Sequence, residues 1–293
     1  MPFPTLKPGI NDLGGKTYIG QRIQNIKGDP ANPIILTNGI LVAATILGCV
    51  GLTLRDVTIQ GDNTQLPVPQ VRKHGLIIRA SSHITVEQSD ISRSLCGISA
   101  ISTSYVNMDA NLFHDNRDDV HFVNSEFYTV RRNEFTDHKN AVTDHPDAIQ
   151  VWTDKGLDHP AQGCVIEDNC IHRGNGRYMQ GVFIRSYTQT QKPGWKAPTG
   201  LLVRNNLLIG TSPNGIAVCG DGDVLGNEVW SYPDKKSKIM IQGKYRVSGN
   251  KALHFSVNGV FSKTPPAGNT INNVANPANE AALVAQWRQR VLG

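Results

Sequence analysis

The chain lacks the features that mark nucleic-acid binders, membrane proteins and disulfide scaffolds. No block of Lys and Arg and no basic helix occurs along its 293 residues, so no nucleic-acid partner is expected. The longest apolar run, 40–54, is interrupted by Thr45 and Thr53 and is too short to span a bilayer, so no membrane partner is expected either. It reads as consecutive buried strands. The opening MPFPTLKPGIND has no charged segment followed by an apolar one, so no secretory leader is present as written. The five cysteines (Cys49, Cys96, Cys164, Cys170, Cys219) are odd in number and without CxxC spacing, which argues against a disulfide framework or zinc site. Four lie in or beside strand-like runs, as buried thiols would. Segments of helical period are almost missing.

What the chain does have is 28 glycines, scattered asparagines and a repeat. The pattern apolar-x-apolar-x-x-Asn-x-apolar occurs at 106–113 (VNMDANLF), 128–135 (YTVRRNEF), 164–171 (CVIEDNCI) and 201–208 (LLVRNNLL). Weaker copies lie at 52–59, at 84–91 and around Asn227 and Asn250. The asparagines stand at 111, 133, 169, 206, 227 and 250, a base period of about 22 residues with loops of about 14 inserted twice. Beside them run starts of Gly followed by apolar residues at Gly75, Gly97, Gly181 and Gly215, with 119–122 and 148–151 filling the same slot.

Short strands cannot bury an apolar face alone, but parallel stacking of successive coils makes a continuous interior. The predicted fold is therefore all-β, a right-handed parallel β-helix forming one domain. About seven or eight coils at ~4.8 Å each would span 36–260, after an N-terminal arm and half-coil over 1–35. Asparagine suits the left-handed conformation that a tight turn needs, and stacked Asn side chains can bond from coil to coil. The tail 261–293 carries a helical pattern at 279–292, with Asn276 or Asn279 as its cap, expected to cover the open end of the solenoid.

The register implies which side chains stack. With Ile98, Val120, Ile149, Val182 and Ile216 inward, His74, Cys96, Asp118, Asp147, Gln180 and Asn214 form one outward column. Ser99, His121, Gln150 and Phe183 form a second; Ile101, Val123, Trp152 and Arg185 a third. Polar groups gather on the central coils, as a binding groove requires. Long loops flank them and carry His138, Asp144, His145, Asp158, His159, Lys192 and Trp195 as groove walls. Asp118 and Asp147 on adjacent coils would repel unless they share a proton, hold a cation such as Ca2+, or meet an arginine. His121 is a candidate general acid or base, and Arg185 can hold a substrate carboxylate or neutralise the aspartates. His74, Asp144, His145, Gln150, Trp152, Gln180 and Trp195 are the candidate substrate-binding residues. The segment 144–150 (DHPDAIQ) is the most motif-like stretch.

On this repeat, over about residues 40–260, the chain resembles the pectate-lyase-like right-handed β-helix superfamily. That group holds polysaccharide lyases, pectin-type hydrolases, alginate epimerases and phage tailspike depolymerases. Asp144-His145-Pro146-Asp147 has the composition of the epimerases' Asp-Pro-His cluster but not its order. The pectate lyases' Trp-x-Asp-His segment is missing, and Asp118-Asp119 alone matches the polygalacturonase set. The resemblance implies cleavage of a polysaccharide, acidic by the net charge of +5, through β-elimination or acid/base hydrolysis and with no required cofactor. Carbohydrate binding without catalysis, a tailspike-type structural role and C5-epimerisation stay open. A tailspike-like chain would form a homotrimer, and action on a polysaccharide would place it outside the cell or on a virion.

Overall fold

The computed structural model describes residues 3–61, 73–140, 144–153, 161–185, 197–262, 264–272, 274 and 277–293. They form a right-handed parallel β-helix, its strands pairing with those one coil away along three faces. The face that carries the predicted columns includes Leu76–Arg79, Cys96–Ile101, Asp118–Val123, Asp147–Trp152 and Gln180–Ile184. Its register is the one that the repeat implied. Val120 pairs with Ile98 and Ile149, His121 with Ser99 and Gln150, and Val123 with Ile101 and Trp152.

The inward positions of this face explain its strength. Leu76, Ile98, Val120, Ile149, Val182 and Ile216 are completely buried and stack into a single line. Each such side chain contributes roughly 1.5–3 kcal/mol by leaving water. Phe113 stacks on Phe135 and Phe122 on Tyr128 inside the same core, and all five cysteines are buried free thiols.

The asparagine ladder joins the other two faces. In each of Asn111, Asn133, Asn169, Asn206, Asn227 and Asn250, Nδ2 donates to Oδ1 of the next ladder asparagine at 2.8–3.1 Å. The same Oδ1 accepts the backbone N–H of the asparagine before it. The ladder gains Asn269 as a seventh member. The left-handed residue is not the asparagine but the one preceding it: Ala110, Arg132, Asp168, Asn205, Gly226 and Gly249, with φ between 54° and 70°. The sharp turn thus falls one residue earlier, which frees the asparagine's side chain to point into the stack.

Three boundaries differ from the expectation. Pairing begins at Gly9–Ile19, which lies on Ile34–Val42 with one register shift between Asp12 and Lys16, so the N-terminal segment is already coiled from Gly9. Ten strands follow one another on the face described, from Arg22–Gln24 to His254–Val257, rather than seven or eight. The C-terminal helix, Pro277–Val291, does not cover the open end. It lies along the flank, where Val284 and Trp287 pack on Cys170, Leu207, Ile209 and Tyr232, and Trp287 Nε1 donates to the Asp168 carbonyl at 3.0 Å. Val260–Ser262 instead pairs antiparallel with His254–Val257 at the last coil. Among the described residues no helix is long and apolar enough to cross a membrane.

Candidate active site

Four predicted residues meet where strands enter the central coils. Asp118 and Asp147 open consecutive strands, and the Asp147 backbone N–H donates to Asp118 Oδ1 at 3.0 Å. Gln150 Nε2 donates to Asp147 Oδ2 at 2.7 Å, and His121 Nε2 stands 3.9 Å from Asp118 Oδ2. Residues three apart on a flat strand face opposite ways. Here Asp118 and Asp147 are the first residues of their strands, and each meets the residue three positions on in its own coil. The column of Asp118 and Asp147 therefore sits at the corner of the coil, almost buried at 5% and 2% exposure, rather than on the open face.

The cation beside the aspartates is Arg117, not Arg185. Arg117 Nη1 donates to Asp118 Oδ2 at 2.8 Å, while its Nε donates to Asp144 Oδ2 at 2.9 Å. Arg185 is exposed, five positions beyond Gln180 and thus about 16 Å along the strand direction from the aspartate column. Asp144 is bonded to Arg117. Among the described residues no group of three or more His, Cys, Asp or Glu is arranged to hold a metal.

Burial sets the electrostatics. It pushes Asp118 up to about 6, against the pull of Arg117. Burial, and after it the charge of Asp118, pushes Asp147 up to about 8. Burial, with His74 and Arg117 nearby, pushes His121 down to about 4. His121 is thus uncharged at neutral pH and its approach to Asp118 is not an ion pair. Burial lowers His74 as well.

One coil further, Asn214 Nδ2 donates to Gln180 Oε1 at 2.5 Å. Four polar atoms of this corner are buried without a partner: His74 Nδ1, His121 Nε2, Asp147 Oδ1 and Asn214 Oδ1. Trp152 is 41% exposed at the far end of its strand, its ring centroid 6.5 Å from that of His121. His145 is exposed on the rim. Asp158, His159, Lys192 and Trp195 lie outside the described residues.

His138 is no groove wall. It is fully buried and bonds through Nε2 to Asp119 Oδ2 beneath the site. The sequence reading also passed over Arg117, although the run Asn116-Arg117-Asp118-Asp119 sets a cation directly beside the acids. A further feature it missed is the stack of His83, Tyr105 and Phe127 on three successive coils, with centroids 4.7 and 5.1 Å apart.

Residues 38–229 match the family described as right handed beta helix region. No curated protein matches the sequence. Among solved structures, an alginate lyase from Paenibacillus sp. str. FPU-7 superposes with a TM-score of 0.50 at 16% identity, over 87% of this chain and 99% of that one. PfbA, a surface adhesin of Streptococcus pneumoniae, does so with a TM-score of 0.50 at 13% identity, over 90% and 77%. At these identities the likeness is one of fold.

Proposed function

The chain belongs to the right-handed β-helix family, and we propose that it is an enzyme that cleaves a polysaccharide at the Asp118–Asp147 corner. The observation that carries this reading is the division of the two carboxyls. At neutral pH Asp147 keeps its proton and Asp118, bonded to Arg117 and to the Asp147 N–H, has largely lost its own. Two carboxyls whose environments drive them apart in this way supply an acid and a base. Asp147 donates to the glycosidic oxygen, while Asp118 takes a proton from the attacking water or attacks the sugar carbon itself. The buried, unpartnered atoms of His74, His121, Asp147 and Asn214 leave this corner with unmet hydrogen-bonding capacity, at about 1–3 kcal/mol each. The exposed ring of Trp152 offers an apolar face to a pyranose.

β-Elimination is the second reading, and the uncharged His121 favours it. A neutral imidazole with a free Nε2 can remove the proton next to a uronate carboxyl. The two neighbours in fold, an alginate lyase and an adhesin, divide between cleavage and binding, so the site's chemistry has to decide.

A panel of polysaccharides separates these readings when reducing ends and ultraviolet absorbance are read together. Hydrolysis gives reducing ends without absorbance, and Asp147→Asn or Asp118→Asn then lowers the rate roughly 100-fold or more. Rising absorbance that His121→Ala removes would establish elimination instead. Silence across the panel would overturn cleavage altogether.

A further inference from the structure

Beside the corner, the loops that lead into the strands enclose a second cavity of about 430 Å³. Its walls come from four consecutive turns and include His145, Pro146, Arg173, Arg177, Tyr178 and Lys235. It adjoins the corner: Pro146 directly precedes Asp147, and its carbonyl accepts the Gln180 N–H at 2.8 Å. The volume lies within the ~300–1,000 Å³ usual for small-molecule sites.

Its charge is one-sided. Arg173, Arg177 and Lys235 face a single lining carboxylate, Asp144, which Arg117 already holds at 2.9 Å. Asp234 stands behind the wall and accepts the Tyr178 hydroxyl at 2.8 Å through each oxygen. The arginine at the back is fixed in advance. The Arg173 guanidinium lies 4.7 Å from the Tyr178 ring centroid and 5.5 Å from that of Tyr232, with Nε donating to the Gly176 carbonyl and Nη1 to the Tyr178 hydroxyl. The Arg177 N–H donates to the His138 carbonyl at 2.9 Å, which anchors its loop to the one before. With Arg173, Arg177 and Lys235 outnumbering Asp144 and Asp234 among the described residues, a preset guanidinium in a net basic cavity selects an anion that can accept several hydrogen bonds.

We propose that this cavity binds an anionic sugar residue, bearing a carboxylate, sulfate or phosphate, on the glycan whose cleaved bond lies over Asp118 and Asp147. This rests on the glycan-cleaving reading and adds a determinant of specificity outside the strand face. The groove receives the chain, and the loop cavity receives a charged branch or terminal residue. Arg177 and Lys235 are exposed and touch neither catalytic carboxyl, so they are the residues to change.

The test measures binding by calorimetry for every acidic polysaccharide of the cleavage panel, its uncharged form (carboxyl-reduced or desulfated), and inorganic sulfate. The paired substitution R177Q/K235Q is compared with the unaltered chain, and circular dichroism checks that both fold. The expected result is at least one acidic polymer bound tenfold or more tightly than its uncharged form. The paired substitution removes that tenfold and leaves binding of the uncharged polymer as it was. Equal affinity for charged and uncharged partners, a preference that survives the substitutions, inorganic sulfate bound as tightly as the polymer, or no binding at all would each overturn the proposal. Cleavage is scored on the same samples. A neutral polymer cut through Asp147 would leave catalysis standing without the cavity, and selective binding without cutting would leave the cavity standing without catalysis.

Discussion

Arg117 bonds to Asp118 and not to Asp147, and from this difference follow both the division of labour and its dependence on pH. Hydrolysis as proposed needs Asp118 ionised and Asp147 protonated. We therefore expect kcat/KM to rise as pH passes about 6, to peak near neutrality and to fall beyond about 8. A plain rise with no alkaline limb would remove Asp147 from the role of acid. Stability runs the other way. The folded state raises both carboxyls above the ordinary value of 3.8, so it favours their protonated forms. The cost is nil below that value, grows as pH climbs toward the folded values and persists above them. Asp147→Asn should accordingly lower activity roughly 100-fold or more yet raise the melting temperature, by roughly three to four times as much at pH 9 as at pH 5. Equal melting curves at both pH values would mean that the carboxyl is not strained by its burial.

The C-terminal helix shows where an element's own pattern stops being informative. Its 3.6-residue period was legible, but the face that it docks on was not, because the partners are scattered through distant parts of the chain, from Glu134 to Tyr232. Glu134 accepts from Arg288 Nε at 2.8 Å and bonds His172 at 3.0 Å, and His172 in turn bonds Glu280 at 3.0 Å. Burial opposes the charge on Glu134, but the bonds from His172 and Arg288 outweigh it and hold the carboxyl down at about 2. The same bonds raise His172 despite burial. The stabilisation from Glu134 is complete above 4.5 and lost as pH falls through about 2. That from His172 is complete below 6.5 and lost as pH rises past its folded value. The helix is thus held best between about 4.5 and 6.5. Glu134→Ala should release it, at a cost of about 3 kcal/mol. Hydrogen exchange over 277–291 would quicken while the core strands stay protected; unchanged exchange would show that Trp287 and Val284 hold the helix alone.

Over the whole molecule, the coil period, the strand register and the pairing of Asp118 with Asp147 were readable, since all three follow from a spacing of about 22 residues. Contacts that cross between inserted loops were not. Arg117 with Asp144, the basic cavity and the position of the helix depend on how four turns lean together, and no period records that. The approach of Asp118 to His121 and of Asp147 to Gln150 was hidden too, as alternation sets residues three apart on opposite faces. A solenoid is held by contacts between neighbours, so its midpoint is where a defect does most. Asn169→Ala would leave the backbone N–H of Asn133 without an acceptor, at about 1–3 kcal/mol, while its Nδ2 keeps the carbonyls of Met108 and Arg131. Denaturant unfolding should then broaden as the two halves separate in stability; a single sharp transition at the original midpoint would show the ladder to be dispensable.

That ladder also has a direction. From Asn111 to Asn250, each asparagine donates from Nδ2 to the next ladder asparagine and to a carbonyl one coil back, and its Oδ1 accepts from the N-terminal side wherever an asparagine precedes it. A complete turn removed or duplicated between two asparagines would rejoin like to like and orphan no donor. The chain is in this sense modular, able to change length by whole turns, while the two inserted loops add residues outside the ladder and leave the count of its rungs unchanged.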